Sequence, residues 1–316
     1  MKQPPPDFAI VGAPKCGTTS VHSALRKHPQ LFLPSMKEPH YFAYDYPRRR
    51  EVTKLASYDR LFEAAKPTQL RGESSALYLS SDAAIPALIR RNPDIKIIAF
   101  VRNPIELFVS LHNEFVKTLD EDQTDPEEAW IIQGARAGGK HVPSSCKVPA
   151  LLQYRSTCSL GRQIERLCTL LPAEQRLVIV FDDLKSNPTA VLRQITGFLA
   201  VTGIGDFKLV HENGFAQFKS RFVARLAQLS IVNPLIRELR SRTKPLLNDV
   251  GLHPIGWMIG KNLKPIPKPV LRPAFREELE HAFRADVELT EQLLGRDLSH
   301  WCAQHDGLQM SSAASL

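Results

Sequence analysis

The sequence predicts an α/β fold with three layers, in which a central parallel sheet is flanked by helices. Three observations lead to this prediction. Short runs of buried-type apolar residues alternate with segments of helical periodicity, which is the pattern of a doubly wound sheet. A glycine-bearing loop joins the first apolar run to the first helical segment, as at the ligand-binding edge of such sheets. The chain has 316 residues, enough for one α/β domain with a full core.

The strand predictions rest on apolar runs of four to eight residues bounded by turn signals. One of them, residues 68–75, is short and ends in polar side chains, as strands that lead into an active-site crevice do. The predicted strands are residues 8–11, 68–75, 95–101 and 176–181.

Helices are predicted where apolar residues recur at a spacing of three or four. The last is the clearest, because five apolar side chains fall on one face and Gly295 follows as a C-terminal signal. Those five are Phe275, Leu279, Phe283, Val287 and Leu294. The predicted helices are residues 21–26, 82–91, 104–116, 160–171, 187–199 and 274–294, with Pro86 marking a boundary inside the second.

We expect one domain across residues 1–316. Its core should cover about residues 8–210. A basic extension and the final helix should follow over about residues 211–302, and residues 303–316 should form a flexible tail. Residues 120–150 are acidic and then contain glycine and proline, which is typical of a binding loop or lid.

The charge balance favours anionic partners. Lysine and arginine outnumber aspartate and glutamate by 41 to 33, a formal net charge of +8. Such a field suits a charged nucleotide, an acidic glycan, a nucleic acid or a membrane surface. Nucleic acid is disfavoured, because the basic residues are scattered and no aromatic-basic recognition string is present.

The cysteines and the N-terminus indicate a cytoplasmic protein without a metal. None of the five cysteines forms a C-x-x-C pair or has zinc-like spacing with histidine, and their odd number indicates reduced thiols. The first residues lack the apolar core of a signal peptide, and no apolar run is long enough to span a bilayer.

The most informative segment is the loop Gly12-Ala-Pro-Lys-Cys-Gly-Thr-Thr-Ser20. Gly12 and Gly17 keep the spacing of the phosphate loop G-x-x-x-x-G-K-[ST], but Thr18 stands where its lysine would be, and the lysine is Lys15. Backbone N–H groups and the positive end of the following helix suit an oxyanion here. The loop is therefore predicted to be P-loop-like and to address phosphate from a different side. The same helix end could lower the pKa of the Cys16 thiol.

A second notable segment follows the strand predicted for residues 95–101. Arg102-Asn-Pro-Ile-Glu106 follows this strand, and Ser110 lies eight residues beyond the arginine. A guanidinium offers a planar fork to phosphate oxygens, and a helix hydroxyl adds a further donor.

Together these motifs resemble those of sulfotransferases that use 3′-phosphoadenylyl sulfate (PAPS). The string P-K-x-G-T-T-S resembles their 5′-phosphosulfate loop, and Arg102 with Ser110 resembles the pair that grips the 3′-phosphate. Residues 178–188 are similar to a further segment of the same family, and this similarity supports the fold rather than the chemistry. The resemblance covers about residues 8–302. It implies that PAPS is bound by Lys15, Cys16, Gly17, Thr18, Thr19, Ser20, Arg102 and Ser110.

The resemblance also implies a mechanism. Lys15 would hold the bridging oxygen of PAPS, and adenosine 3′,5′-bisphosphate would be the product, with no metal required. Residues 37–42, K-E-P-H-Y-F, resemble the K-E-x-x-[FY]-F region of glycan sulfotransferases. Glu38 is therefore the expected base and a carbohydrate or glycoconjugate hydroxyl or amine the expected acceptor, with His40 and Glu73 as alternative bases. A basic loop from residues 215–273, with Gly260-Lys-Asn262 as candidate, would close over the nucleotide.

Two other function classes remain open from the residues. A P-loop kinase or nucleotide hydrolase would use Mg-ATP, with Asp182 or Asp183 holding the magnesium ion, but it lacks the lysine after Gly17. A non-catalytic module that binds nucleotides or polyanions would need neither Lys15 nor Glu38.

Overall fold

The chain folds around a parallel β-sheet flanked by helices, so the fold class predicted from the sequence is confirmed. The computed structural model describes residues 5–203, 216–219 and 263–302. The main sheet has five strands in the order β2-β3-β1-β4-β5, and all its pairings are parallel. The strands are β1 (Phe8–Gly12), β2 (Leu31–Phe32), β3 (Leu70–Ser74), β4 (Lys96–Val101) and β5 (Arg176–Val180).

The central strand β1 fixes the site, because its end carries the glycine loop. Phe8 is paired with Gly72 of β3 on one side and with Lys96 of β4 on the other. A side chain at Gly72 would overlap the ring of Phe8, so this pairing needs a glycine. Since the strands are parallel, the loops that follow β1, β3, β4 and β5 all leave the same edge of the sheet.

All six predicted helices are present, and the described residues also contain five short helices that were not predicted. They are α1 (Thr18–Leu25), α2 (Leu55–Asp59), α3 (Ala84–Arg91), α4 (Pro104–Thr118), α5 (Pro126–Ile131), α6 (Gln133–Ala137), α7 (Tyr154–Cys158), α8 (Leu160–Leu170), α9 (Phe181–Ser186), α10 (Pro188–Phe198) and α11 (Pro273–Leu294).

Some helix boundaries have a local cause. The Asn103 side chain accepts hydrogen bonds from the backbone N–H groups of Ile105 and Glu106 and so begins α4. Pro86 falls in the first turn of α3, where its missing N–H costs no helical hydrogen bond. One prediction is wrong: the chain leaves β5 at Val180, and Phe181 begins the short helix α9 instead of ending the strand.

The final helix packs against α8 and α4 and closes the core. Four of the five side chains predicted for its core face are buried, namely Phe275, Leu279, Phe283 and Val287. The fifth, Leu294, is partly buried against the same core. Asp286 on the same helix accepts hydrogen bonds from the N–H groups of Gly161 (2.9 Å) and Arg162 (3.1 Å). These N–H groups begin α8 and have no partner within it, so α11 supplies the N-terminal cap of α8.

The acidic segment 120–150 contains α5 and α6 and is anchored rather than being a loop throughout. Arg136 makes two hydrogen bonds of 2.5 Å to the carboxylate of Glu121, and both side chains are fully buried. The hydroxyl of Tyr154 donates to the same carboxylate at 2.8 Å. The backbone N–H of Gln123 donates to it as well, at 2.8 Å. With four donors on one buried carboxylate, the segment is fixed to the core at this point.

A small antiparallel sheet joins β6 (Ala216–Phe218) to β7 (Leu263–Pro265). The predicted nucleotide-closing candidate Gly260-Lys-Asn262 and the predicted flexible tail 303–316 lie outside the described residues. Within the described ranges, no helix combines the length and the apolar character that crossing a bilayer requires.

Candidate active site

A cavity of about 490 Å³ opens at the edge of the sheet where the strand-end loops meet. Its walls come from the loop after β1, the segment before α2, the turn after β3, and helices α4 and α9. The charged side chains that matter most in it are Lys15, Glu38, Arg49, Arg102 and Glu114.

The glycine loop forms one wall, and its backbone conformation explains its glycine. Gly17 has φ +78° and precedes α1 as its N-terminal cap residue. A Cβ atom there would lie 2.6 Å from Cδ2 of Leu184 and 3.0 Å from Cε2 of Phe181. Thr18, Thr19 and Ser20 form the first turn of α1 and line the cavity. The first turn of a helix carries backbone N–H groups that have no partner within the helix, which suits an anion.

Among the eight residues predicted to bind the nucleotide, Cys16 is the one that does not line the cavity. Its thiol is fully buried, and Sγ lies 3.5 Å from the carbonyl oxygen of Pro14. Burial, opposed by the nearby Arg102, raises the pKa of Cys16 to about 12. The pKa of this thiol is thus raised, although the adjacent helix end could have lowered it, and any binding role of Cys16 falls to its backbone.

Arg102 connects the two predicted motifs. Its Nη1 donates to the carbonyl of Lys15 at 2.7 Å, and its Nη2 donates to Glu106 at 2.8 Å. The guanidinium carbon lies 4.8 Å from the centre of the Phe181 ring. Its Nε is buried without a hydrogen-bond partner in the described structure. Ser110, two turns along α4, lines the same cavity.

Lys15 meets a residue that the sequence analysis did not single out. Its Nζ lies 3.1 Å from Oε2 of Glu114, and Nζ of Lys117 lies 3.2 Å from the same oxygen. Burial alone would raise the pKa of Glu114, but the two ammonium groups hold it below its usual value. The available signal was the spacing, since Glu114 follows Ser110 by four residues and so shares its helix face.

Glu38 is held at the opposite side of the cavity. Its Oε2 accepts a hydrogen bond of 2.7 Å from the N–H of Ala76 and lies 3.1 Å from Nε2 of His40. Lys37 contacts the other carboxylate oxygen. Both Glu38 and His40 have positive φ, 62° and 48°. These unusual backbone angles aim the two side chains at one another and at the cavity that both line.

His40 is neutral in this environment. Burial lowers its pKa to about 4, although the neighbouring Glu38 opposes the shift. The 3.1 Å contact between Nε2 and the Glu38 carboxylate favours the tautomer with the proton on Nε2, while Nδ1 is buried without a partner in the described structure. His40 can orient the carboxylate of Glu38, and its own Nε2 is occupied in doing so.

Glu73, the third candidate base, lies beneath the cavity and does not line it. It is 1% exposed and accepts hydrogen bonds from Tyr58 Oη (2.6 Å) and Ser75 Oγ (3.0 Å). Burial raises the pKa of Glu73 to about 7, against the opposing effect of these donors. The structure brings Glu38 and His40 to the cavity and leaves Glu73 in the core.

The two aspartates proposed for a magnesium ion are engaged elsewhere. Asp182 pairs with Lys185 (2.6 Å) and accepts from the Trp301 indole (2.8 Å). Asp183 accepts from Arg296 at 2.8 Å. Neither lines the cavity. In the part of the chain that the structure describes, no three His, Cys, Asp or Glu side chains are grouped as metal ligands would be.

Several characterised proteins are similar in sequence. The chain is 28% identical over 152 residues to the membrane-associated sulfotransferase kil1 of Dictyostelium discoideum, covering 45% of this chain and 32% of that protein. It is 27% identical over 249 residues to mouse carbohydrate sulfotransferase 15, covering 61% of this chain and 43% of that protein. It is 26% identical over 224 residues to bovine bifunctional heparan sulfate N-deacetylase/N-sulfotransferase 2, covering 62% of this chain and 22% of that protein. The chain thus spans less than half the length of each of these relatives.

A solved structure and a family model complete the comparison. A crystallised sulfotransferase from Alicyclobacillus acidocaldarius superposes with a TM-score of 0.67 and 23% identity, covering 94% of this chain and 99% of that one. This likeness supports the fold. The family model described as the sulfotransferase domain matches residues 5–230, more than half of the chain. The matched range includes the glycine loop as well as Arg102 and Ser110. The chain therefore belongs to the sulfotransferase family.

Proposed function

We propose that this protein transfers a sulfuryl group from PAPS to a hydroxyl or amine of a carbohydrate or glycoconjugate. The observation that carries the proposal is that the loop after β1 and the Arg102–Ser110 pair line one cavity and touch through the Arg102–Lys15 hydrogen bond. Two anion sites joined in this way suit a nucleotide that carries phosphate groups at the 5′ and 3′ positions of its ribose. We also propose that residues 1–316 act as one domain.

The residues fit the donor in two places. The N–H groups that begin α1, with the hydroxyls of Thr18, Thr19 and Ser20, would bind the 5′-phosphosulfate. Arg102 and Ser110 would bind the 3′-phosphate, and the unpartnered Nε of Arg102 supplies a spare donor for it. PAPS itself supplies an activated sulfuryl group on a phosphate leaving group.

Lys15 and Glu38 would carry the transfer step. As the bond between sulfur and the bridging oxygen breaks, Lys15 places its ammonium against the negative charge that forms on that oxygen. Glu38 takes the proton from the acceptor hydroxyl, whose oxygen forms the new bond to sulfur. The Ala76 N–H and His40 hold the carboxylate in place for this proton transfer.

The acceptor class is supported by the residues around Glu38. The K-E-P-H-Y-F segment resembles that of glycan sulfotransferases, and two relatives are named for carbohydrate and heparan sulfate substrates. Arg49 lines the cavity on this side, 2.8 Å from Asp120. A polar wall of this kind suits hydroxyl-rich acceptors better than flat apolar ones.

The test compares donors and then removes Lys15. Isothermal titration should show binding of adenosine 3′,5′-bisphosphate in the presence of EDTA and weaker binding of Mg-ATP. Lys15→Ala should reduce sulfuryl transfer by about 10²- to 10³-fold and keep part of the nucleotide binding. Lys27→Ala, at an exposed position just after α1, is the matched control and should transfer normally. Tighter binding of ATP with a magnesium requirement would instead favour the kinase alternative.

A further inference from the structure

The ion pair between Lys15 and Glu114 concerns the residue on which the proposed transfer depends. Lys15 comes from the loop after β1, and Glu114 from the third turn of α4. Their side chains are 16% and 34% exposed, so the pair is partly shielded from water. Both line the cavity in which the donor nucleotide is proposed to bind. In this state the amine that should meet the donor is already bound to a carboxylate.

The backbone of Lys15 is fixed independently of this pair. Its φ is +62°, and its carbonyl accepts the 2.7 Å hydrogen bond from Arg102. Breaking the contact with Glu114 therefore requires rotation of the lysine side chain alone. The loop itself can keep its conformation while Lys15 changes its partner.

Glu114 has a second cation in reach. Nζ of Lys117 lies 3.2 Å from the same oxygen, Oε2, that Lys15 contacts. When Lys15 turns away, Lys117 remains to neutralise the carboxylate. The cost of leaving a half-buried charge without a partner is thereby reduced.

We propose that Glu114 is a positioning residue that holds the Lys15 amine in the cavity until the donor nucleotide arrives, and that it competes with the donor for that amine. This inference rests on the proposed function. The carboxylate keeps Lys15 directed into the cavity, and it also opposes the entry of an anion. Removing its charge should therefore tighten nucleotide binding, whereas a merely structural residue would weaken binding when replaced.

A double-mutant cycle tests this competition with adenosine 3′,5′-bisphosphate as the probe. Isothermal titration on the full chain would compare wild type, Glu114→Gln, Lys15→Ala and the double variant. Glu114→Gln should tighten binding by about two- to tenfold when Lys15 is present, as expected for a partly exposed ion pair. The gain should be smaller in the Lys15→Ala background. Glu174→Gln, which removes an exposed carboxylate away from the cavity, should leave affinity unchanged.

The outcomes separate the two proposals. If wild type does not bind the probe, the proposed function fails and this inference with it. If wild type binds but Glu114→Gln binds equally or more weakly, the competition is refuted and the proposed function stands. Equal tightening with and without Lys15 would also refute it, because simple repulsion would then explain the gain. Should Glu114→Gln not fold, the same cycle with Glu114→Asp, which shortens the side chain but keeps its charge, should give a smaller gain that again depends on Lys15.

Discussion

The guanidinium of Arg102 donates a 2.7 Å hydrogen bond to the carbonyl of Lys15, so the two motifs that are predicted to bind the nucleotide are in direct contact. They lie on neighbouring strand ends, because β1 and β4 are paired in the sheet. A displacement of one motif must therefore affect the other.

Replacing Arg102 with lysine should weaken nucleotide binding although the charge is kept. Lysine cannot hold the Lys15 carbonyl and Glu106 together and also offer a donor to phosphate, as the guanidinium fork can. We expect the dissociation constant of adenosine 3′,5′-bisphosphate, measured by titration calorimetry, to rise by about 10- to 100-fold. Arg71→Lys is the control, because Arg71 forms a similar forked pair with Asp7 away from the cavity. Equal affinities for both variants would contradict the assignment of Arg102.

Gly17→Ala should abolish donor binding, and Gly139→Ala provides a matched comparison. The two glycines have nearly the same φ, +78° and +79°, so alanine strains the backbone equally at both, by about 1 kcal/mol. At Gly17 the new Cβ would also meet Leu184 and Phe181, whereas no atom lies within 4 Å at Gly139. Calorimetry should show lost binding for Gly17→Ala alone. Similar binding by both variants would mean that the loop shape does not matter.

The sequence predicted the parts of the site that depend on local pattern. The loop around Gly17 and the strand end at Arg102 are readable because their residues are contiguous and their spacing has a physical reason. Glu114 was missed, since its importance depends on the direction in which α4 leaves β4. The burial of Glu73 could not be read from the sequence, because a polar strand end can face either the cavity or the core.

Glu38→Gln should stop the transfer while leaving nucleotide binding intact. Glutamine keeps the hydrogen bond from Ala76 N–H but cannot accept a proton from the acceptor. The turnover number with a glycan acceptor should fall by about 10²- to 10⁴-fold, as for loss of a general base. Glu73→Gln, measured in the same transfer assay, should remain active because Glu73 does not line the cavity. The reverse result, an active Glu38→Gln and an inactive Glu73→Gln, would move the base to Glu73.

Glu73 should instead affect how stability depends on pH. The pKa of Glu73 is raised from 4.5 to about 7, chiefly by burial. Between these values the folded protein keeps a proton that the unfolded chain releases, so this carboxyl makes the folded state less stable as pH rises. The loss is complete above about pH 7 and amounts to about 3 kcal/mol at most.

Glu73→Gln carries no such proton and should remove this loss. The free energy of unfolding, measured by urea denaturation, should increase in the variant relative to wild type between about pH 5 and about pH 8. His22 and His40, whose pKa values burial lowers to about 4, make the fold less stable as pH falls. Because both histidines are present in both proteins, their effect cancels in the difference. Glu174→Gln, an exposed replacement, should show no such trend. A constant offset between Glu73→Gln and wild type across this range would show that the buried carboxyl does not titrate there.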